Sequence, residues 1–220
     1  MMKNSLKSFF FICYFIFLII GGAALLLYSK IDLFLFINKS NHYSSDYFFR
    51  YFTNVGDGIF YGIVILGLLC YKYKYAIIGL ISFLLTSLIA QLLKRLVFVD
   101  EYRPVKYFKD LDIEFHIIEG VKLYSNNSFP SGHATTAFSI FCLLALIFKK
   151  NKLGFLFFLC AFLASYSRIY IGQHFFADIY FGSLIGVVFT ILVYMILNKY
   201  FDNHKKTWPN KGLLNKGIIN

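Results

Sequence analysis

Six apolar stretches, about Ser8–Tyr28, Asn54–Tyr71, Tyr75–Leu93, His133–Phe148, Leu153–Ser167 and Phe175–Leu197, recur along this sequence and fix its solvent. A helix needs about 20 predominantly apolar residues to cross a bilayer core. The first, third and sixth stretches reach that length; the second, fourth and fifth must borrow flanking polar residues. Composition agrees, at 59% hydrophobic, 21% aromatic and 15% charged, against roughly 45–50% apolar and 25% charged in a soluble domain. A soluble core of this size could not cover 28 Phe and 17 Tyr without exposing large apolar patches. The expected fold class is all-α, a polytopic membrane bundle of about six transmembrane helices over residues 1–200, followed by a basic tail over residues 201–220. Lys3 and Lys7 ahead of the first stretch also fit a cleavable leader ending near Gly21-Gly22-Ala23-Ala24. The apolar run continues through Leu25-Leu26-Leu27, which favours a retained anchor.

Alternating the loops across the membrane sorts the charges. Asp202 is the one acidic residue that falls on the side of Lys3, Lys7, Lys72, Lys74, Lys149, Lys150, Lys152, Lys199 and the tail lysines, so that side carries the whole net charge of +11. The other side balances, with ten acidic and ten basic residues. By the positive-inside rule both termini are expected in the cytoplasm. The excess positive charge therefore speaks of orientation, and no nucleic-acid partner is expected. Cys13, Cys70, Cys142 and Cys160 are scattered through apolar runs and outline neither a disulfide framework nor a zinc site.

The outer side then holds three polar segments. In Lys94-Arg95-Leu96 through Tyr102-Arg103-Pro104, Lys94 and Arg95 taken alone read as snorkelling cations. Arg103 is more pointed, because Pro104 excludes it from helical backbone and leaves its guanidinium on a fixed turn suited to phosphate. Pro130-Ser131-Gly132-His133 opens the fourth stretch. Helix starts offer unpaired N–H groups to anions, Ser131 adds a hydroxyl, and His133 can give a proton near neutral pH; an ordinary N-cap explains Ser131 equally well. In Ser167-Arg168 through His174 to Asp178, a helix beginning near His174 would place Asp178 one turn on, within reach of a ring nitrogen. A carboxylate there fixes the tautomer and leaves the other nitrogen nucleophilic, whereas a plain helix-end pair is the bland alternative.

Cations, a helix N-terminus and two histidines, one backed by a carboxylate, are what displacement at phosphorus needs. No carboxylate cluster or Cys/His set suits a divalent ion, so neither metal nor cofactor is expected. These segments resemble the type 2 phosphatidic acid phosphatase family of membrane lipid phosphatases, relatives of vanadium haloperoxidases and bacterial acid phosphatases. That family carries a Lys…Arg-Pro segment, then Pro-Ser-Gly-His, then Ser-Arg, five residues, His, three residues and Asp. The second and third segments match without a gap; the first departs, since Lys94 stands nine positions before Arg103 where the family spacing is seven and would fall on Leu96. Either the turn holds two extra residues, or Arg95 takes the basic role.

The resemblance implies that His174 attacks phosphorus with support from Asp178, that His133 protonates the leaving alcohol, and that Lys94, Arg103, Ser131, Gly132 and Arg168 hold the phosphate. It implies a metal-free phosphatase in a bacterial inner membrane, its site facing the exterior, acting on a membrane lipid phosphate. Phosphatidic acid, phosphatidylglycerol phosphate, undecaprenyl diphosphate and lipid A phosphates all qualify. Two alternatives stay open: a phosphotransferase using the same intermediate, and a non-catalytic lipid-binding or transport relative. The segment Val105–Phe129 reads either as a headgroup selector or as a connector, Gly56-Asp57-Gly58 either as a plain turn, the favoured reading, or as a turn with an extra contact to the site, and His42, His116 and His204 as surface residues.

Overall fold

The computed structural model describes residues 8–203 and 207–214, so His204 lies outside the described residues. Every regular element among them is helical. In chain order they are α1 (Phe9–Leu27), α2 (Lys30–Asn38), α3 (Tyr43–Phe52), α4 (Gly58–Tyr71), α5 (Tyr73–Leu92), α6 (Pro104–Lys109), α7 (Gly132–Phe148), α8 (Asn151–Tyr170) and α9 (Phe176–Asn203). The helices α1, α5 with its continuation to Val97, α8 and α9 are long and apolar enough to cross a membrane. A fifth candidate span is a broken one: Tyr43–Gly56 and Gly58–Tyr71 meet at 56°. The shorter apolar helix α7 completes the set. Where the sequence suggested one span over Asn54–Tyr71, a 3₁₀ turn at Thr53–Gly56 breaks the chain and Asp57 caps α4 at Gly58. That leaves α4 with 14 residues, about 21 Å by helical rise, short of a bilayer core on its own.

Although it is the shortest of these candidates apart from α4, α7 is the centre of the bundle, buried almost without interruption from Ala134 to Ile147. Small residues on α9 make that possible. A Cβ on Gly182 would lie 2.7 Å from the Ser131 carbonyl oxygen, and one on Gly186 2.4 Å from that of Thr135. The pair Gly182-x-x-x-Gly186 thus lets the two backbones touch, the usual device for packing helices where lipid supplies no hydrophobic drive. Hydroxyls bind the helices further: Tyr61 of α4 donates to the Gly79 carbonyl of α5 at 3.1 Å and meets Ser139 of α7 at 3.1 Å, which meets Thr190 of α9 at 2.7 Å. Phe10, Tyr14, Phe17 and Phe138 fill the layer between α1 and α7.

The two ends of the bundle differ. At one, tight turns at Lys72 and Lys149–Lys150 join the helices, Lys74 pairs with Asp202 at 2.9 Å, and the Leu213 and Leu214 amides donate to the Leu69 and Cys70 carbonyls. At the other, α2, α6 and the loops gather Phe34, Phe108, Ile169, Phe175 and Ile179 into a second cluster. His116 there is half-buried rather than free at the surface, since Nε2 sits 3.0 Å from both Asp46 oxygens; His42 is exposed and caps α3.

Candidate active site

All eight residues singled out in the sequence stand at this second end, brought there by the starts of α6, α7 and α9 and the finishes of α5 and α8. Helix α9 begins at Phe176, close to the expected start near His174, so His174 just precedes the helix and Asp178 lies in its first turn. The expected contact still forms: His174 Nδ1 is 3.0 Å from Asp178 Oδ2. The same oxygen accepts from the Phe175 amide at 3.0 Å and from the Ser128 hydroxyl. Three donors on one oxygen hold the carboxylate still, and a carboxylate partner places the His174 proton on Nδ1. Nε2, with no hydrogen-bond partner among the described residues, is left with its lone pair.

His174 is 1% exposed. Burial first, then Arg103, Lys94, Arg168 and His133, pulls its basicity well below the ordinary imidazole range. Those four groups therefore share one electrostatic neighbourhood with it. Arg168, also buried, donates from Nη1 to Thr53 Oγ1 at 2.9 Å, and its Nε is enclosed without a partner. Such an orphaned charged donor is costly unless a ligand oxygen meets it. Arg103 has extended backbone at the N-cap of α6, as Pro104 demands. Its Nη1 donates to the Gln173 carbonyl at 3.2 Å and side-chain oxygen at 2.9 Å, and its Nε to the Asn126 carbonyl at 3.0 Å. Burial lowers its pKa, yet a guanidinium stays charged.

Helix α5 ends in a π-helical turn, Leu93–Val97, closed by the Phe98 amide on the Leu93 carbonyl at 2.8 Å. The wider turn points Lys94 inward, where it is 7% exposed, and leaves Arg95 on the surface. Ser131 does cap α7, accepting from the Ala134 amide at 3.4 Å, while its own amide donates to the Asp178 carbonyl at 3.0 Å. A Cβ built on Gly132 meets nothing within 4 Å, so space opens beside that amide. No group of three or more metal-ligating side chains converges among the described residues.

A family model described as the PAP2 superfamily matches residues 75–202, more than half of the chain. The chain belongs to the PAP2 superfamily. It is 31% identical over 128 residues to the lipid A 1-phosphatase of Rhizobium johnstonii, covering 56% of this chain and 50% of that one. It is 34% identical over 84 residues to the lipid A 4'-phosphatase of Bacteroides thetaiotaomicron, covering 38% and 37% respectively. The chain thus spans half the length, or less, of these curated relatives. Among solved structures, LpxE of Aquifex aeolicus matches with a TM-score of 0.67 and 28% identity over 75% of this chain and 94% of that one. The PAP2-type phosphatidylglycerolphosphate phosphatase of Bacillus subtilis matches with a TM-score of 0.60 and 23% identity, over 90% and 98%, and speaks to the fold alone.

The PAP2 segment contains Lys94, Arg103, Ser131, Gly132, His133, Arg168, His174 and Asp178, and leaves out α1 to α4. Thr53 lies outside it, and a lone threonine in an aromatic stretch carries no sequence signal. Ser128 and Gln173 fall between the motif residues but look generic until their bonds to Asp178 and Arg103 are seen. Thr53→Val should leave two donors of a buried guanidinium unpaired. A hydrogen bond to a charged group contributes about 1.5–3 kcal/mol, so kcat/KM for phosphate release should fall roughly 10- to 100-fold. Thr53→Ser should retain most of the activity; equal kcat/KM in Thr53→Val and the parent would show that Arg168 does not depend on this hydroxyl.

Proposed function

We propose that this protein removes phosphate from a membrane lipid phosphate through a phosphohistidine on His174, without a metal. The observation that carries the reading is the buried His174–Asp178 pair set among Lys94, Arg103 and Arg168, with one Arg168 donor enclosed and unmatched. The Nε2 lone pair attacks phosphorus opposite the leaving oxygen. As that P–O bond breaks, His133 gives its proton to the departing alcohol. Water then attacks the phosphohistidine and passes a proton to His133, releasing phosphate and restoring both histidines. The three cations, the Ser131 hydroxyl and the open backbone at Gly132 hold the equatorial oxygens, so charge is met by fixed groups rather than by solvent. Burial first, then Arg168, Arg103 and Lys94, holds His133 below the ordinary imidazole range, and a bound phosphate anion offsets the share of the cations.

The substrate class follows from the setting and the relatives. The site lies at the end of an apolar bundle, beside lipid headgroups, and two relatives are named as lipid A phosphatases. The net positive charge of the opposite end favours a site on the exterior face of a bacterial inner membrane. Purified protein assayed for free phosphate on phosphatidic acid, phosphatidylglycerol phosphate, undecaprenyl diphosphate and lipid A phosphates, with and without EDTA, tests the proposal. Release from at least one lipid, undiminished by chelator, is expected. Silence on all of them, strong inhibition by EDTA, or phosphate recovered only on a second lipid would overturn it.

A further inference from the structure

Beside His133 lies a cavity of about 140 Å³, framed by the Gly56–Gly58 turn, α5 and the first turns of α7. That is room for several hydroxyl-bearing carbons rather than for one water. Its polar lining includes Asp57, Ser87, Gln91 and Thr136 beside Gly132 and His133. Phe83, Ser87 and Gln91 fall on one i, i+4 row of α5, so two of three residues in that row are polar in a span of mean hydropathy 2.3. Polar side chains on a span are costly unless something meets them. Neither the Ser87 hydroxyl nor the Gln91 amide has a hydrogen-bond partner among the described residues; Ser87 is half-buried, whereas Gln91 is exposed, as Leu84, Leu88 and Leu92 alongside are. The row therefore runs from the recess at Ser87 to its open mouth at Gln91, beside a lipid-facing strip.

Charge narrows what the recess takes. Lys94, Arg103 and Arg168 act on both His133 and His174, while the cavity itself is lined by no cation and by the carboxylate of Asp57, which Arg168 also feels. One Asp57 oxygen accepts from the Gly58 amide, and the other has no hydrogen-bond partner among the described residues. A carboxylate repels a phosphate and accepts from hydroxyls; a carboxamide and a serine hydroxyl both donate and accept. We propose that this cavity is a leaving-group subsite for a neutral, hydroxyl-bearing headgroup, a glycerol or a sugar, with its acyl chains along Leu84, Leu88 and Leu92. The proposal rests on the phosphatase reading for its orientation: the alcohol that receives the His133 proton departs on this side. Asp57 lies before the PAP2 segment, so the subsite joins family and non-family parts of the chain.

The test has two arms. In the first, the full-length protein and its Ser87→Ala/Gln91→Leu variant are assayed in detergent on phosphatidylglycerol phosphate, whose leaving group carries a free hydroxyl, and on phosphatidic acid, whose leaving group carries none. The ratio of the two kcat/KM values should fall about tenfold in the variant, the scale of one or two lost neutral hydrogen bonds. An unchanged ratio overturns the subsite while leaving the phosphatase reading intact. The second arm needs no turnover: a phosphate-free alkyl glucoside should raise the thermal midpoint of the parent protein and not that of the variant. Equal shifts in both, or none in either, overturn the proposal, whereas a parent that binds the glucoside yet releases no phosphate sinks only the catalytic reading. Ser87→Ala alone, a change of one oxygen, serves if the double variant does not fold.

Discussion

His174→Ala should eliminate phosphate release, by roughly 10⁴-fold or more, the scale reached when a covalent mechanism loses its nucleophile and keeps only binding and electrostatics. The loss should appear in kcat and not as unfolding, because the ring sits in a loop between α8 and α9 and the bundle is closed by other contacts. His133→Ala should behave differently. A general acid contributes about 10²–10⁴-fold, and that contribution vanishes when the leaving group needs no proton. With p-nitrophenyl phosphate, His133→Ala should therefore release a stoichiometric burst of p-nitrophenol and then stall at phosphohistidine hydrolysis, where the missing ring would have taken the proton from water, while His174→Ala gives no burst. A burst from both variants, or from neither, would refute the division of roles. Asp178→Asn should approach the His174 variant, since an amide cannot accept from Ser128, Phe175 and His174 on one atom and also fix the tautomer; the analogous change in a Ser-His-Asp triad costs about 10⁴. The pH profile carries the same signature. Because burial and the cations depress His174, the ring is unprotonated and nucleophilic at neutral pH. The His174 acid limb of kcat/KM should thus lie below about pH 6.5, the ordinary imidazole value. A limb above that value would contradict the environment described for His174.

Most of this site could be read from the chain because its parts are chemically expensive in a membrane. His174, Asp178 and Arg168 have no reason to interrupt apolar runs except to meet one another or a ligand. The helix starts were legible for a related cause: Ser131 and Gly132 ahead of an apolar stretch leave few other ways to satisfy the first amides of α7. What escaped the sequence depends on geometry that no local pattern encodes. Lys94 and Arg95 are neighbours of one type, and only the π-helical turn separates an inward from an outward cation. The turn at Gly56-Asp57-Gly58 was legible, but the 3₁₀ turn leading into it from Thr53 escaped because Asn54–Tyr71 has the hydropathy of one span, although Thr53 meets Arg168 from 115 residues away. Ser128 and Gln173 escaped because serine and glutamine beside a helix end usually serve solvent.

Gly186→Val should be the most damaging substitution outside the site. A Cβ at this position would stand 2.4 Å from the Thr135 carbonyl oxygen and 3.0 Å from the Ser139 amide, both backbone atoms of the central helix, so no side chain can swing aside. The two helices must separate. Overpacking costs about 1–3 kcal/mol in ordinary cores, and for a chain of this size each kcal/mol lowers the thermal midpoint by about 2–4 °C. Catalysis should fall with it, because the bond from the Ser131 amide to the Asp178 carbonyl spans the same contact one turn closer to the site. Gly182→Ala, whose Cβ would press on the Ser131 carbonyl at 2.7 Å, should therefore lose more activity for a smaller drop in midpoint than Gly186→Val. Gly62→Ala and Gly67→Ala on α4 are the controls: a Cβ there meets nothing within 4 Å. By helix propensity they should hold or raise stability by about 0.5–1 kcal/mol. Equal midpoints for Gly186→Val and Gly62→Ala in detergent would mean that α7 and α9 do not rely on touching backbones, and that the site is held together from elsewhere.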